Sequence, residues 1–383
     1  MNPAEHRRAV PGTRRSAEAG PRRVLRSVEG SPGGLALRLR NEASPQELRA
    51  VITPDDARRL VDAGVTLTVE ESPQRIFPTA EYAAAGARIA PADSWGEAPT
   101  DEIVVGLKAP GPLPSALRHR HVFFGHAYKG QQGGEALLRR FVEGGGALLD
   151  LEYLTDDTGR RVAAFGYWAG YVGAALAALH VRGDLTPPLR ATSRADLDLA
   201  LGKGAGDPVR ALVIGALGRS GQGAVAALSV AGMAVTAWDI AQTRQLDRAA
   251  LLDHDILVNT VLTQVPAPPF VRPEDLDDPS RRLAVISDVT CDVTSECNLL
   301  PIYDRPTDWA QPVRRFSGTA SPLDLIAIDN LPSMLPREAS TAFSADLLPH
   351  LLALAEGSPV WQRAYDRFVA ASTALHEGLG RTS

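Results

Sequence analysis

The sequence predicts an α/β protein built on parallel sheets, and three observations support this class. Short apolar runs alternate with helical segments from residue 35 onward, and a second alternating series begins at residue 209. Alternating strands and helices are typical of parallel sheets with helices on their faces. A glycine-rich turn follows the first strand of the second series, and the length of 383 residues suffices for two domains of ordinary size.

Composition excludes several classes of function. The net charge of -5 lacks the excess of cations that binds a phosphate backbone, so we expect no nucleic-acid partner. No apolar run is long enough to span a membrane. The two cysteines, Cys291 and Cys297, lack the spacing of a metal or redox pair, so we expect free thiols, no metal and a reducing cytoplasmic location.

Residues 1–34 differ from the rest of the chain in composition. They are rich in Arg, Pro and Gly and show no helical or strand periodicity, so we expect a flexible tail. They lack the apolar stretch of a secretory signal. An Arg-rich organellar presequence and a start codon placed too far upstream both stay open as explanations.

The first series contains five predicted strands and three predicted helices. Thr53 is the expected N-cap of the first helix, with Pro54 at its first position and Gly64 at its end. The predicted strands are residues 35–40, 65–71, 102–107, 121–127 and 147–154, and the predicted helices are residues 54–64, 79–86 and 133–146.

A longer apolar helix, residues 163–180, separates the two series. Its glycines at positions 166, 170 and 173 permit close approach of another element, as expected for a segment that crosses between domains. The second series has predicted strands at 211–214, 234–239, 255–262 and 282–290. The chain then ends in predicted helices, beginning with the stretch DLIAIDNLPSMLPREAS, and these helices could return to cover the first sheet.

The glycine-rich turn is the strongest general motif. Gly215, Gly218 and Gly221 follow an apolar strand and lead directly into a helix. Such a turn lets the backbone approach a pyrophosphate, which the helix N-terminus attracts through its free N–H groups and dipole. Arg219 lies inside the turn and could lie along the pyrophosphate. The plainer interpretation is that the glycines only permit tight packing of strand against helix.

Asp239 ends the next strand, about 24 residues after Gly215. A carboxylate there accepts hydrogen bonds from both ribose hydroxyls and repels a 2′-phosphate, so the sequence predicts NAD rather than NADP as cofactor. The alternative is that Asp239 is an ordinary surface carboxylate.

Two residues that can exchange protons follow strands of the first series. Lys108 comes after the strand in VVGLKAP, and His126 ends HVFFGH, with Lys129 and Gln131 in the next loop. Ends of parallel strands face the ligand crevice, so these side chains are expected in one cleft. Lysine can serve as a base when its surroundings disfavour the charged form, which arginine cannot do. Both residues also have a plainer interpretation, as a solvated lysine and a hydrogen-bonded histidine.

Several sequence motifs resemble those of one known enzyme family. IVVGLKAP, FFGHAYKGQ, TDDTGRRVAAFG, VIGALGRSGQGA and IDNLPSMLPREAS occur in the order found in NAD-dependent, L-lysine-forming saccharopine dehydrogenases, which the chain resembles over residues 36–370. The chain also resembles alanine dehydrogenase and the NAD-binding part of transhydrogenase, but more distantly.

The resemblance implies two Rossmann-like domains with an active site in the cleft between them. We expect residues 35–164 with 330–383 to form the substrate domain, and residues 165–329 to form the NAD-binding domain. The implied reaction interconverts saccharopine with L-lysine and 2-oxoglutarate, using NAD. A monomer acting on these small molecules is expected.

The resemblance also implies roles for individual residues. Lys108 matches the proton acceptor and His126 the proton donor. Glu152 is an acid near this group that could modulate its pKa values. The expected substrate-binding residues are Arg40, Lys108, Lys129, Gln131, Arg161 and Phe165. The expected NAD-binding residues are Arg160, Gly215, Gly218, Arg219, Gly221, Asp239, Thr243, Val289, Ile328, Asp329, Asn330 and Leu331.

Several positions depart from the family pattern. Ala109 stands where fungal members have an acid, and Leu262 stands where a tyrosine is expected near the nicotinamide. Ser220 and Thr260 replace the two cysteines of the fungal disulfide, so that bond cannot form. A related alanine-type or opine-type dehydrogenase therefore stays open as an alternative function, as does an NAD-binding sensor without catalysis.

Overall fold

The computed structural model describes residues 34–203, 209–263, 265–293, 295–317, 319 and 321–380. Two six-stranded sheets form its framework, which confirms the α/β prediction. The predicted tail, residues 1–34, lies outside the described residues apart from Gly34. Among the helices of the described part of the chain, none is long and apolar enough to cross a membrane.

The first sheet consists of parallel strands. They are β1 (Ala36–Leu39), β2 (Thr66–Glu70), β3 (Arg88–Ala90), β4 (Ile103–Val105), β5 (Arg120–Phe123) and β6 (Ala147–Asp150). Their order is β3-β2-β1-β4-β5-β6, the order of a Rossmann fold. Leu39 at the end of β1 pairs with Val105 at the end of β4. Ligands of such sheets bind where the strand order reverses, so the loops after β1 and β4 lie at the expected site.

The second sheet repeats this plan with a small variation. Its strands are β7 (Arg210–Ile214), β8 (Ala234–Trp238), β9 (Ile256–Asn259), β10 (Val285–Asp288), β11 (Arg314–Arg315) and β12 (Asp324–Ile326). The order is β11-β12-β10-β9-β7-β8, with only β11 antiparallel to its neighbour. The order reverses between β7 and β9, so the glycine-rich turn after β7 lies at the switch point of this sheet.

The helices cover the faces of both sheets. They are α1 (Pro54–Asp62), α2 (Thr79–Ala84), α3 (Gly134–Gly144), α4 (Gly166–Val181), α5 (Arg194–Leu201), α6 (Arg219–Val230), α7 (Ile240–Thr243), α8 (Arg248–Leu252), α9 (Pro336–Leu352) and α10 (Pro359–Gly380). The predicted cap of α1 is confirmed, because the Thr53 side chain accepts a hydrogen bond from the Asp56 N–H and Pro54 begins the helix.

Each sheet has its own hydrophobic core. Phe343 of α9 and Trp361 and Phe368 of α10 are buried in the core of the first sheet, so the C-terminal helices return to cover it as the sequence predicted. The apolar helix α4 is instead buried in the core of the second sheet. Phe165, just before α4, packs against both cores.

The stretch DLIAIDNLPSM was predicted to be helical, and this prediction was wrong. Its first residues form the buried strand β12. Asn330 then has φ 69°, a left-handed conformation that a right-handed helix cannot include. A 3-10 turn follows at Leu331–Met334, and α9 begins only at Pro336. An apolar run of this length suits either structure, and packing against β10 decides for the strand.

The strand predicted at residues 121–127 ends earlier, at Phe123. A Cβ atom at Gly125 would lie 2.6 Å from the Leu148 side chain and 3.0 Å from the Asp150 carboxylate, so a larger residue there would have to displace these side chains. His126 then takes φ 48°, in the left-handed region. The chain therefore leaves the sheet before His126 and turns this side chain away from the strand direction.

Helix α4 crosses α6 at very short range. A Cβ atom at Gly170 would lie 1.7 Å from the Ser220 carbonyl oxygen, and one at Gly223 would lie 1.9 Å from the Tyr167 carbonyl oxygen. Only glycine permits this approach, as predicted for α4. The crossing brings the start of α4, and the loop before it, against the glycine-rich turn.

His121 of β5 is a buried histidine without hydrogen bonds. It is fully buried among the rings of Trp95, Phe123 and Phe141, at centroid distances of 5.1, 6.0 and 5.5 Å. Neither ring nitrogen has a hydrogen-bond partner. Burial, with the charge of Arg40 in addition, lowers the pKa of His121 well below its usual value. The imidazole is therefore neutral in the folded protein.

We expect His121→Phe to raise the free energy of unfolding, and to do so more at low pH. The unfolded chain gains a proton on His121 below about pH 6.5, whereas the folded chain does not. The free energy of unfolding of the wild type therefore falls by roughly 1 kcal/mol between pH 7 and 5.5. Urea unfolding of both proteins at these two values measures the difference. A difference in the free energy of unfolding between the two proteins that does not change with pH would contradict this account.

Candidate active site

A cavity of about 360 Å³ lies between the two sheets. Residues from the first sheet and its loops form one wall: Arg49, Leu107, Lys108, Phe124, His126 and Arg161. Residues from the second sheet and its loops form the other: Ser220, Thr260, Leu262, Val289, Thr290, Cys291, Ile328, Asp329, Asn330, Leu331 and Pro332. Phe165, Gly166 and Ala169 at the start of α4 close the cavity between them. Loops that follow parallel strands therefore meet here from both sheets.

Lys108 is held at the end of β4 by a buried carboxylate. Glu42 accepts hydrogen bonds from the N–H groups of Leu107, at 2.6 Å, and of Lys108, at 3.2 Å. The charge of Lys108 also acts on Glu47. Burial raises the pKa of the Glu47 carboxyl, but Arg49 and, more weakly, Lys108 lower it below its usual value. Lys108 therefore lies in the cavity with an ionised carboxylate nearby.

His126 reaches the cavity beside Glu152. Its Nδ1 atom is 3.6 Å from Glu152 Oε2, an ion-pair contact rather than a close hydrogen bond. Lys129 Nζ lies 3.3 Å from the other carboxylate oxygen, Oε1. The interaction with His126 is the largest cause that lowers the pKa of Glu152 to about 2, with a further contribution from Lys129 against the opposing effect of burial. Glu152 thus contacts the cationic Lys129 and also His126, which is charged only when it is protonated.

Asp150 fixes the position of Glu152. Its Oδ1 atom accepts a hydrogen bond from the Glu152 N–H at 2.9 Å, just after β6. Burial raises the pKa of Asp150 to about 6, and hydrogen bonds from the N–H groups of Glu152 and Gly125 oppose this rise. The same carboxyl group therefore contacts the backbone that precedes His126 and the backbone of its carboxylate partner.

Arg40 does not line the cavity, contrary to the prediction that it contacts the substrate. Its side chain is 1 % exposed and lies under Gly106, whose Cβ would be 2.6 Å from the guanidinium carbon. The guanidinium donates hydrogen bonds to the carbonyl oxygens of Asn41 and Lys108 and pairs with Glu42. Arg40 stabilises the loops after β1 and β4 instead.

Arg49 is the cation that sequence reasoning missed. It lines the cavity and makes two hydrogen bonds to Glu47, at 2.7 and 2.6 Å. It also donates to Asn330 Oδ1 at 2.6 Å, and its guanidinium carbon lies 4.5 Å from the centre of the Phe165 ring. One arginine therefore joins the first sheet to the loop after β12. A signal was present, since Glu47 and Arg49 lie two positions apart in the loop after a strand.

The glycine-rich turn has the geometry of a dinucleotide site. Gly215 has φ 85°, and Gly221 lies so close to the Gly215 carbonyl oxygen that a Cβ would be 2.1 Å from it. Gly218 is the N-cap of α6 and presents no side chain there. The free N–H groups at the start of this helix therefore face an open cradle that fits a pyrophosphate.

Asp239 is placed by the same turn. Its carboxylate accepts hydrogen bonds from the N–H groups of Leu217, at 2.9 Å, and Ile240, at 2.8 Å. Gln242 completes a capping box at the start of α7, and Thr243 donates to the Asp239 carbonyl oxygen. The carboxylate is therefore fixed at the end of β8, where a ribose is bound in Rossmann folds.

Three arginines lie beside this turn. Arg219 donates a hydrogen bond to the Arg161 carbonyl oxygen at 2.8 Å. Burial, and then the charges of Arg160 and Arg161, lower the pKa of Arg219. Cations this close to one another favour an anionic ligand, such as a phosphate or carboxylate.

Lys129 and Gln131 do not line the cavity. The Lys129 N–H donates to Gln131 Oε1 at 2.8 Å, and Gln131 lies in a separate groove beside α10. Of the predicted residues, the structure brings Lys108, His126, Arg161, Phe165, Val289 and the Ile328–Leu331 turn together in the cavity. No group of three or more His, Cys, Asp or Glu side chains in the described residues is arranged to hold a metal ion.

The chain is similar to known dehydrogenases along most of its length. Residues 38–172 match the family described as alanine dehydrogenase/PNT, N-terminal domain. The saccharopine dehydrogenase [NAD(+), L-lysine-forming] of Neurospora crassa is 44 % identical over 354 residues, which is 87 % of this chain and 95 % of that protein. The enzyme of the same description from Schizosaccharomyces pombe is 41 % identical, over 85 % of this chain and 95 % of that one.

A solved structure supports the fold. An L-alanine dehydrogenase superposes with a TM-score of 0.65 at 18 % identity, over 88 % of this chain and 94 % of that chain. At this identity the likeness concerns the fold alone. It confirms the Rossmann-like architecture that the two sheets indicate.

We expect Glu152→Gln to lower the free energy of unfolding at pH 7 by about 1 to 3 kcal/mol, because the group that contacts His126 and Lys129 loses its negative charge. The folded-state pKa of Glu152 is lowered, so its contribution is complete above the usual value of 4.5 and falls towards pH 2. Urea unfolding at pH 7 and pH 4 measures this change.

Glu135→Gln is the matched control. Glu135 pairs with Arg139 on the surface of α3, with 64 % of its side chain exposed. Such pairs contribute little, so this variant is expected to match the wild type. An equal loss of stability in both variants would argue against a special role of Glu152.

Proposed function

This chain belongs to the family of NAD-dependent, L-lysine-forming saccharopine dehydrogenases, and we propose that Lys108 and His126 perform its acid–base chemistry. It is an NAD-dependent oxidoreductase that interconverts saccharopine with L-lysine and 2-oxoglutarate. The observation that carries the assignment of residues is the cavity, where Lys108 and His126 face Val289 and the Ile328–Leu331 turn of the second sheet.

The cofactor would bind along the second sheet. When bound, NAD supplies the acceptor for the hydride that leaves the carbon next to the secondary amine of saccharopine. Gly215, Gly218 and Gly221 provide the cradle for its pyrophosphate, and Asp239 provides the acceptor for its ribose hydroxyls. The remaining proposed contacts are Arg160, Arg219, Thr243, Val289, Ile328, Asp329, Asn330 and Leu331.

Lys108 is the proposed proton acceptor. Oxidation at a carbon next to a secondary amine requires an unprotonated amine, and we assign the removal of its proton to the Lys108 Nζ atom, which belongs to a residue that lines the cavity. A lysine amine can accept a proton once it is neutral, whereas a guanidinium stays protonated. Lys108 lines the cavity together with Arg49 and Arg161.

His126 is the proposed proton donor. Oxidation leaves an imine, water adds to it, and the resulting carbinolamine releases lysine. The departing nitrogen needs a proton, and His126 can supply it because imidazole exchanges protons near neutral pH. Glu152 holds the imidazole from its Nδ1 side, so Nε2 is the nitrogen that is free to face the substrate.

The carboxylates of the substrate need cationic partners. Saccharopine has three carboxylates, and we assign Arg49 and Arg161 to two of them, with Phe165 closing the cavity between them. Lys129 contributes positive charge from the rim, near Gln131. Arg40, which is fully buried, acts on the substrate only through the loops it holds.

Three further features belong to the same proposal. The substrate domain comprises residues 35–164 with 330–383, and the NAD-binding domain comprises residues 165–329. We propose a cytoplasmic protein, supported by the free thiols of Cys291 and Cys297. We also propose that the chain acts as a monomer, since both walls of the cavity come from one chain.

An alanine-type or opine-type dehydrogenase is the second candidate. It is favoured by Leu262, which lines the cavity with 64 % exposure where the family has a tyrosine, and by Ala109. Oxidation of NADH with lysine plus 2-oxoglutarate, compared with pyruvate plus ammonia, separates the two candidates. We expect turnover with lysine plus 2-oxoglutarate. Turnover only with pyruvate plus ammonia would establish the second candidate. NAD binding without turnover of either pair would indicate an NAD-binding sensor without catalysis.

We expect Lys108→Met to lower kcat by about 100-fold or more, because the amine proton then has no acceptor. Lys108→Arg is the matched control for charge: it keeps the cation but cannot accept a proton, so it should be equally inactive. Steady-state rates with purified protein measure both. Activity of Lys108→Arg close to that of the wild type would show that charge, and not proton transfer, is what Lys108 contributes.

We expect Arg49→Met to raise the KM for saccharopine by roughly 10-fold or more, because a carboxylate loses its cationic partner. Both Arg49→Met and Arg40→Met should reduce stability, because each leaves a buried carboxylate, Glu47 or Glu42, without its cation. Only Arg49→Met should also raise the KM, which kinetics and thermal unfolding of both variants measure. A raised KM in Arg40→Met with an unchanged KM in Arg49→Met would assign the substrate contact to Arg40.

A further inference from the structure

The C-terminal helix α10 is anchored firmly against the first sheet. Trp361, Ala364, Tyr365 and Phe368 form its buried face, at the spacing of successive helical turns. The Trp361 Nε1–H donates to the His350 carbonyl oxygen at 2.7 Å, and the Phe368 ring meets Phe141 edge to face at 5.7 Å. The helix packs on β6 and on the 3-10 turn that contains Glu152. It is a rigid support within reach of the active site.

Arg367 extends from this helix to two aromatic rings. Its guanidinium carbon lies 5.6 Å from the centre of the Tyr128 ring and 5.2 Å from the centre of the Tyr153 ring. The two rings meet edge to face, with their centres 5.1 Å apart. Neither hydroxyl group has a hydrogen-bond partner, so the contact depends on the rings rather than on the hydroxyls. A cation near aromatic rings at these distances is attracted to their faces.

Each ring belongs to a segment that carries part of the acid–base site. Tyr128 follows His126 by two residues and precedes Lys129. Tyr153 follows Glu152 directly, in the 3-10 turn Leu151–Tyr153. Lys129 lies 5.8 Å from the Tyr153 ring as well as 3.3 Å from Glu152. Arg367 therefore contacts a neighbour in sequence of His126 and a neighbour in sequence of Glu152, but neither of these two residues itself.

The loop with His126 needs such an anchor. Its backbone takes positive φ at His126, Gly130 and Gly133, with values of 48°, 70° and 80°. Two of these positions are glycines, which restrict the backbone little. Lys129 is 47 % exposed, and Tyr128 is the large ring of this loop that turns inward. The Tyr128 ring adds to the other contacts of this loop, which are the buried Ala127 and the pairing of Lys129 with Glu152.

A second arginine on α10 acts in the same way on the next loop. Arg363 lies one turn before Arg367 and donates to the Thr155 carbonyl oxygen at 3.1 Å. It also pairs with Asp157 at 3.0 Å. The segment with Thr155 and Asp157 leads directly to Arg160 and Arg161. The C-terminal helix thus contacts two neighbouring loops through one arginine each. Arg367 contacts the loop that carries Lys129, and Arg363 contacts the loop that leads to Arg160 and Arg161.

We propose that Arg367 is a positioning residue, which holds the Tyr128 and Tyr153 rings so that His126 and Lys129 face Glu152 in the geometry that the reaction needs. Arg367 is not among the residues that line the cavity, so we expect it to act through the loop. The inference rests on the role proposed above for His126, and it adds the C-terminal helix to the set of elements that determine activity.

The test compares Arg367→Met, Arg367→Lys and Arg139→Met in the full-length protein. Arg139→Met is the control, because Arg139 pairs only with Glu135 of its own helix and contacts neither ring. Hydrogen exchange measured by mass spectrometry on peptides covering residues 126–131 and 151–155 reports whether the two segments loosen. Steady-state kinetics with saccharopine and NAD reports whether this affects the reaction.

We expect Arg367→Met to increase exchange in both peptides and to lower kcat/KM for saccharopine roughly 3- to 10-fold, while the KM for NAD stays within about twofold of wild type. Arg367→Lys keeps the cation and should recover part of this loss, and Arg139→Met should match the wild type. Unchanged exchange in Arg367→Met overturns the proposal, as does increased exchange with unchanged kcat/KM. Exchange needs no turnover, so a wild type inactive with saccharopine would contradict the proposed function while the exchange result still decides whether Arg367 holds the loop.

Discussion

The close crossing of α4 and α6 is the contact on which the rest of the site depends. Gly170 lies against the Ser220 carbonyl oxygen at a distance that no other residue permits. The crossing brings the dinucleotide turn to the loop that carries Arg161, and it places Phe165 at the boundary of both cores. Phe165 then stacks on Phe343 at 4.3 Å and receives Arg49 on its ring. Residues of both sheets line one cavity next to this packing, and we propose that it holds substrate and cofactor together.

Paired charges determine the chemistry of that cavity. Arg49 is paired with Glu47, and His126 with Lys129 shares Glu152, so each acid holds its cations in place without neutralising the cavity as a whole. Arg161 and Lys108 add further positive charge. Such a site suits a substrate with several carboxylates, because exposed anions gain close cationic partners on binding.

The sequence predicted what local patterns determine, and missed what tertiary packing determines. The Thr53 cap, the glycine-rich turn and the strand that leads to Lys108 are all encoded within a few neighbouring residues. The stretch DLIAIDNL was misassigned because its short apolar run suits a helix or a buried strand equally, and its pairing with β10 lies far away in sequence. Arg40 was predicted to contact the substrate from the family resemblance, yet its side chain lies beneath Gly106 in the next loop, a packing that no local pattern reveals. The contact of Arg367 with Tyr128 joins residues too distant in sequence for any local pattern to predict.

A crystal structure of the full chain with NADH and saccharopine tests the central claim most directly. The claim is that one cavity between the two sheets holds the reacting carbon beside Lys108 and His126. We predict the secondary amine of saccharopine within hydrogen-bond distance of the Lys108 Nζ atom, its carboxylates on Arg49 and Arg161, and the nicotinamide against Val289 in the same cavity. Saccharopine bound with its amine far from Lys108, or a nicotinamide outside this cavity, would contradict the account.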